Sequence, residues 1–504
     1  MYPNRKYPLI TSRFSCFMIA LLAGAILPFA FAPHHLWPLS IFSPALLLMI
    51  WQSPSQEPKL AFLSGLGFGL GMFGVGVSWV FISVHRYGNT DIPMASFITL
   101  LLVLSLAFFI ATQGYCLKRF FKGNNTAFLL LGFPSSWVLF EWIRSWAFTG
   151  FPWLYLGYTE LHTPLSGYGP ILSVYGISLV VALNAGALVA LFKGNKNAKI
   201  LACFLVISTW GLGTLLTQFS FTTASPTKHT VSLVQGNIAP FDKFSQEDPI
   251  GATEKTYGRL TETHWGTELI LWPESAVPLS LPYSQDYINQ LQIMAEAADS
   301  TLITGIQVKN AQGEYHNSLI ALGNGKGIYH KFHLLPFGDF VPFQQGLRGL
   351  INFFDIPMSS FTEGPKNQEL ITAGKLKLDP LICYEIAFPE LVRSTLRNAD
   401  AIITLSEDGW FGDSWGPHQH LEIAQMRALE TGRYVLRATT SGITAIINAK
   451  GQIIGRIPQF HAMVLQGTFE SMQGETPWVR IGLWPLLIVL ILMFILPGRF
   501  RILS

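Results

Sequence analysis

The stretch KLDPLICYEIAFPEL, residues 377–391, decides how the chain is to be read. An apolar run of strand character stops at Cys383, and Pro389 opens a helical pattern, so the cysteine stands at a strand-to-helix turn. A thiol in such a turn is open to substrate and lies beside backbone N–H groups able to stabilise an oxyanion. Position alone also fits a partly buried structural cysteine. The other three cysteines, Cys16, Cys116 and Cys203, fall in long apolar runs, where cysteine packs as a small hydrophobe. Cys383 therefore has no partner for a disulfide within its own segment.

A free thiol, with a pKa of about 8.5, is only a few per cent ionised at neutral pH, so nucleophilic work requires a base and a nearby cation. Two further strand ends supply them. Glu274 closes the apolar run of ELILWPES, and Lys331 follows the run in IYHKFHLLPFG. An ordinary glutamate is roughly four units too acidic to deprotonate a free thiol. Burial that raises Glu274, together with a Lys331 ammonium that lowers Cys383, is expected to close that gap from both sides.

These three residues share one segment, 221–473, in which charge returns after a long apolar half. Its roughly 250 residues suffice for one domain with its own core. Short β-rich runs (HTVSLVQGNI, ELILWPES, STLITGIQV, KLDPLICYEI, AIITLSEDGWF) alternate with helical patterns near 246–264, 284–298, 389–397 and 417–432. That alternation predicts a layered α/β domain. Turns at Asn324-Gly325-Lys326-Gly327 and Lys450-Gly451 mark hairpins and hence a mixed sheet.

Outside this segment the chain is a membrane protein in composition. Of its 504 residues 50% are hydrophobic and only 12% charged, and mean hydropathy is +0.37, too apolar for an ordinary soluble protein. Apolar runs at about 14–32, 36–51, 60–84, 94–117, 126–146, 166–192, 200–219 and 478–496 approach the roughly 20 residues a spanning helix needs. Residues 1–220 thus read as about seven spans, and 474–504 as a final span with a short tail, about eight in all. Placing the N-terminus in the cytoplasm puts Arg5, Lys6, Arg13, Lys59, Lys118, Arg119, Lys122, Lys193, Lys196, Lys199, Arg499 and Arg501 on that side, as the positive-inside rule requires. Both termini are then cytoplasmic, and Cys383 faces the oxidising side. The net charge of +3 and the lack of a basic block interleaved with aromatics give no footprint for nucleic acid.

Other polar residues have plainer readings. Glu141 and Arg144 lie three apart in a span and are placed to pair on one helix face. The imidazoles of GPHQH, His418 and His420, have no cysteine or carboxylate set to complete a metal site. His330 and His333 flank Lys331 and either orient it or pack.

The order Glu274, Lys331, Cys383 with the flanks WPES, HK and CYE resembles the nitrilase, or carbon–nitrogen hydrolase, superfamily. That resemblance implies an αββα sandwich in which these residues act as base, charge stabiliser and nucleophile. The membrane half carries FAPHHLWPLS, GLGMFGVGVSWVFISV and TGFPWLYLGY, and the exported segment SEDGWFGDSWGPHQH and RALETGRYVLRATTSGITAII. These resemble the apolipoprotein N-acyltransferase family along nearly the whole chain. By that resemblance the acyl donor is a phospholipid, chiefly phosphatidylethanolamine, and the acceptor is the N-terminal amine of a diacylglyceryl-modified lipoprotein cysteine. The reaction is ping-pong through a thioester, in a bacterial inner membrane with the catalytic domain periplasmic, without cofactor or metal. Asp339, Tyr384, Glu385, Trp410 and Phe411 are the expected supporting residues, the two aromatics as lipid-facing groups on mobile loops. Gly338-Asp339-Phe340 stands where the family has Gly-Glu-Tyr, Phe244 where it has tryptophan, and Glu407 and Gly409 depart from its SNDAWFG. Two rivals remain at this stage: a membrane-anchored amidase or nitrilase acting on a small amide, and a transporter, which the few mid-span polar residues disfavour.

Overall fold

The computed structural model describes residues 12–53, 57–121, 126–239, 247–340, 360–396 and 398–499. Phe244, and the basic residues Arg5, Lys6, Lys122 and Arg501, lie outside them. The chain divides into two units, one of Met1–Phe81, Pro93–Phe219 and Leu483–Ser504, the other of Ile82–Ile92 and Ser220–Gly482.

The first unit is helical. Among the described residues, five segments are long and apolar enough to cross a membrane: Arg13–Ala30, Pro58–Gly76, Ile92–Phe120, Pro164–Lys193 and Lys196–Leu216. Pro38–Trp51 and Trp484–Leu496 are apolar but shorter. The 14-residue helix Pro38–Trp51 rises about 21 Å, less than a hydrocarbon core of about 30 Å. The run expected at 478–496 is broken at Gly482, φ +73°, into Pro477–Ile481 and Trp484–Arg499. Close helix approach rests on small residues: a Cβ at Gly71 would lie 2.0 Å from the Leu21 carbonyl oxygen. Glu141 and Arg144 do not use each other as their hydrogen-bond partners; both hold the segment after their helix. Glu141 accepts from Trp137 Nε1 (3.0 Å) and Leu156 N–H (2.9 Å). Arg144 donates to the Phe151 and Trp153 carbonyls and lies over the Tyr155 ring at 4.8 Å.

The second unit is a sandwich of two mixed sheets. Its strands are β1 Thr223–Gln235, β2 Leu269–Leu271, β3 Thr301–Lys309, β4 Tyr315–Gly323, β5 Gly325–Lys326, β6 Ile328–His330, β7 Ile371–Ala373, β8 Leu376–Ile382, β9 Ala401–Ser406, β10 Tyr434–Thr439, β11 Thr444–Ile447, β12 Ile453–Ile457 and β13 Met463–Gln473. One sheet runs β13-β1-β2-β3-β4-β6 and the other β12-β11-β10-β9-β8-β7-β5. β1, β2 and β3 are parallel, as are β8, β9 and β10, while the hairpins at the edges are antiparallel.

Alternation along the strands builds the layers. Val231, Leu233, Leu269, Leu271 and Ile303 from one sheet meet Leu378, Ile382, Ile403, Leu405 and Leu436 from the other in the central core. On the outer face of the first sheet, Ile270, Trp272, Leu302 and Ile306 pack against Tyr287, Ile288, Leu291 and Ala295, the apolar stripe of the helix Gln285–Ala297. The helices Pro389–Leu396 and Gly416–Thr431 form the crossovers joining β8 to β9 and β9 to β10. The result is the four-layer αββα arrangement that the resemblance implies. Because β2, β8 and β9 are parallel with their neighbours, the residues following their C-terminal ends gather at one rim of the sandwich.

Candidate active site

Glu274, Lys331 and Cys383 meet at that rim, each just past a strand. Glu274 lies three residues after β2, in a turn whose next residue, Ser275, has φ +50°. Gly305 on β3 packs directly beneath: a Cβ there would lie 2.3 Å from the Ser275 nitrogen and 2.7 Å from the Glu274 Cα. The Glu274 carboxylate is buried and fixed at both oxygens. Oε1 accepts from Asn317 Nδ2 on β4 at 2.7 Å, and Oε2 from the Glu407 N–H after β9 at 2.8 Å. Lys331 Nζ donates to the same Oε1 at 3.5 Å and to Asp339 Oδ2 at 2.7 Å. The lysine backbone is pinned by its N–H to the Asn317 carbonyl and by its own carbonyl accepting from Gly364 N–H, both 2.8 Å. Asp339 is held by the Leu335 N–H at 2.7 Å.

Cys383 ends β8 in a left-handed conformation, φ +53°, which costs a residue bearing a Cβ about 1–3 kcal/mol. Its side chain, 9% exposed, feels the charges of Glu274, Lys331, Asp408 and Asp339. Burial pushes the thiol well above its ordinary value, and Glu274 adds to this; the Lys331 ammonium opposes it. Lys331 lowers the thiol as expected, but burial and the surrounding carboxylates outweigh it, so the net shift is upward. Two carboxylates already share one ammonium, and a buried thiolate would add a second uncompensated negative charge. Burial also works against the Lys331 charge, yet Asp339 and Glu274 hold its pKa above the ordinary lysine value. Burial raises the Asp339 carboxyl despite Lys331. The resting site therefore holds a protonated thiol and a charged lysine.

The supporting residues fall into two groups. Glu385, expected to shape the pocket, is buried and ties two loops together. Its Oε1 accepts from Tyr329 Oη (2.9 Å), Phe332 N–H (2.8 Å) and His333 N–H (3.0 Å), and its Oε2 from Ile382 N–H (2.7 Å). It clamps the loop after Lys331 onto the strand before Cys383. Tyr384 stands edge-on to Phe388 at 5.0 Å, and His333 lies against Phe388 at 3.8 Å. His330 instead bonds Ser318 Oγ at 2.7 Å. Trp410 and Phe411 are half-buried on the short helix Asp408–Phe411. The Trp410 ring meets Tyr87 edge-on at 6.1 Å, its carbonyl accepts from Ser83 Oγ at 2.8 Å, and Phe411 meets the His420 ring at 6.1 Å.

Sequence reasoning missed Asn317, which holds the Glu274 carboxylate, and the buried set His420, Asp408 and Arg437 behind the nucleophile. Asp408 bonds His420 Nδ1 at 3.0 Å and Arg437 Nη2, and His420 Nε2 lies 3.1 Å from the Cys383 carbonyl oxygen. Parallel pairing of β8 with β9 was the available signal, because it places the residues after Ser406 beside those after Ile382. Among the described residues no cluster of histidine, cysteine and carboxylate groups is disposed to hold a metal.

A buried carboxylate, ammonium and thiol thus meet on the rim of an αββα sandwich, an arrangement of carbon–nitrogen hydrolase type. A family model described as carbon-nitrogen hydrolase matches residues 230–476, and one described as the apolipoprotein N-acyltransferase N-terminal domain matches 23–187. The apolipoprotein N-acyltransferase of Coxiella burnetii is 40% identical over 95% of this chain and 99% of its own length. That of Azotobacter vinelandii is 40% identical over 93% and 92%. A carbon-nitrogen hydrolase structure from Helicobacter pylori aligns with 48% of this chain and 89% of its own at 18% identity and a TM-score of 0.37. The chain belongs to the apolipoprotein N-acyltransferase family.

Proposed function

We propose that the protein moves a fatty acyl chain from a membrane phospholipid, chiefly phosphatidylethanolamine, to the N-terminal amine of a diacylglyceryl-modified lipoprotein cysteine, through a thioester on Cys383. The observation that carries this reading is the convergence of Glu274, Lys331 and Cys383 in one buried site on a chain whose full-length relatives are named for that transfer. Residues 221–473 form the catalytic domain on the periplasmic side, 1–220 and 474–504 contribute about eight spans, and both termini are cytoplasmic. The lysine and arginine distribution supports that orientation.

In the first half-reaction Glu274 takes the Cys383 proton while sulfur bonds to the ester carbonyl carbon. Lys331 and the Tyr384 N–H hold the oxygen that becomes negative. The carbon–oxygen bond to the glycerol then breaks, and the departing alkoxide receives the proton from Glu274, leaving a lysophospholipid and an S-acyl cysteine. In the second half the lipoprotein amine attacks the thioester carbon, loses a proton to Glu274, and displaces the thiolate, which regains that proton. The protonated resting thiol suits this sequence, because the nucleophile is unmasked only as the carbon–sulfur bond forms.

The test is incubation of the purified full chain with acyl-labelled phosphatidylethanolamine, followed by a diacylated lipopeptide. Label moving from protein to the lipopeptide N-terminus supports the reading. Release to water alone points to the amidase alternative instead.

A further inference from the structure

The nucleophile residue is held from behind. The Cys383 carbonyl faces the helix Gly416–Thr431, where His420 Nε2 lies 3.1 Å from its oxygen. A carbonyl only accepts, so Nε2 must carry the proton. Nδ1 then meets Arg437 Nη2 at 3.1 Å and Asp408 Oδ1 at 3.0 Å. Arg437 Nη2 only donates and Asp408 Oδ1 only accepts, so Nδ1 sits between a donor and an acceptor, and it is the Cys383 carbonyl that fixes Nε2 as a donor. Burial and the Arg437 charge both disfavour the imidazolium. All three side chains are at most 1% exposed, so water does not substitute for them.

We propose that His420, held in place by Asp408 and Arg437, is a positioning residue whose Nε2–H donor to the Cys383 carbonyl fixes the peptide between Cys383 and Tyr384. Two consequences follow from peptide planarity. Anchoring the carbonyl fixes the plane of the Cys383–Tyr384 peptide, next to a residue already held in the left-handed region at φ +53°. In a trans peptide the N–H points opposite to the carbonyl, so the same bond directs the Tyr384 N–H away from His420 and sets the oxyanion donor. This inference rests on the thioester reading of Cys383, and on the role given there to the Tyr384 N–H.

The decisive variants are His420→Gln and His420→Asn in the full chain. The glutamine amide nitrogen reaches the position of Nε2 and keeps the donor, whereas the asparagine nitrogen matches Nδ1 and falls short of the carbonyl. Single-turnover labelling from acyl-labelled phosphatidylethanolamine gives the acylation rate, with the donor KM and the melting temperature measured alongside. His420→Asn is expected to acylate about 100-fold more slowly, the scale set by an ångström-level misplacement of reacting atoms, with donor KM unchanged. His420→Gln is expected to stay within about tenfold of wild type by the same geometric argument. Wild-type acylation in His420→Asn overturns the proposal. So does an equal loss in both variants, whether in rate or in folding, because the missing feature would then be imidazole shape rather than the donor. If the wild type itself takes no label, the thioester reading fails first; label on wild type with either contrary result removes only the role of His420.

Discussion

Reactivity at Cys383 depends on charge bookkeeping within a few ångströms. Lys331 serves Glu274 and Asp339 together, so a thiolate has no cation of its own, and burial holds the thiol above its ordinary value. A raised thiol pKa means less thiolate at every pH below it. Alkylation of Cys383 by iodoacetamide in the absence of lipid should therefore be slow at pH 7 and still rising above pH 9. A plateau reached by pH 8 would contradict the protonated resting state. Asp339→Asn removes one of the two carboxylates and leaves Lys331 to Glu274 alone. Because the Lys331–Glu274 pair remains, no buried charge is left uncompensated, and the loss of one charged hydrogen bond is expected to cost about 1–3 kcal/mol of stability, read by denaturant unfolding. It should also speed alkylation of the Cys383 thiol at neutral pH, because Asp339 is one of the carboxylates that hold the thiol up. The short Asp339 side chain reaches Lys331 at 2.7 Å.

At the level of elements, the site depends on loops that strand ends hold in register. Gly305→Ala would put a Cβ 2.3 Å from the Ser275 nitrogen, forcing the turn that carries Glu274 off the rim. Acylation should fall by about 100-fold, as for a misplacement of roughly an ångström, while the Cys383 thiol remains open to alkylation. Lost acylation together with faster alkylation of Cys383 would instead mean general unfolding, which exposes the buried thiol. The helices at Gln285–Ala297, Pro389–Leu396 and Gly416–Thr431 were legible in the sequence because each has its own capping or turn punctuation between strand-like runs. So were the three strand ends bearing Glu274, Lys331 and Cys383. Pairing between distant segments was not legible. β1 joins β13 antiparallel, with Gln235 opposite Met463, and no local pattern records that register. The His420 set escaped for a related reason: its three residues come from a short helix, a crossover helix and a strand, and only the parallel order β8-β9-β10 brings them together.

For the whole molecule, the second unit has, among its described residues, two apolar cores of its own, while the proposed acyl donor is a membrane lipid. Residues Ser220–Gly482 expressed alone should fold, with cooperative melting and strand-rich circular dichroism, and should fail to acylate a lipopeptide. Full transfer by that fragment would contradict the part assigned to the spans. Residues Ile82–Ile92 group with this unit although they lie between apolar runs, which composition along the chain does not disclose. Among the described residues five helical segments meet the length and apolarity of a span, and the proposed orientation is tested by single cysteines at Asn195 and Asn89. A membrane-impermeant thiol reagent applied from outside should label the second and spare the first; the reverse pattern would invert the topology.

The most direct measurement is the label left on the protein after acyl-labelled phosphatidylethanolamine is supplied without acceptor. The account predicts a stoichiometric, hydroxylamine-sensitive adduct that maps to Cys383, is absent from Cys383→Ser, and transfers to an added diacylated lipopeptide. No adduct on wild type, or an adduct that persists in Cys383→Ser, would contradict it.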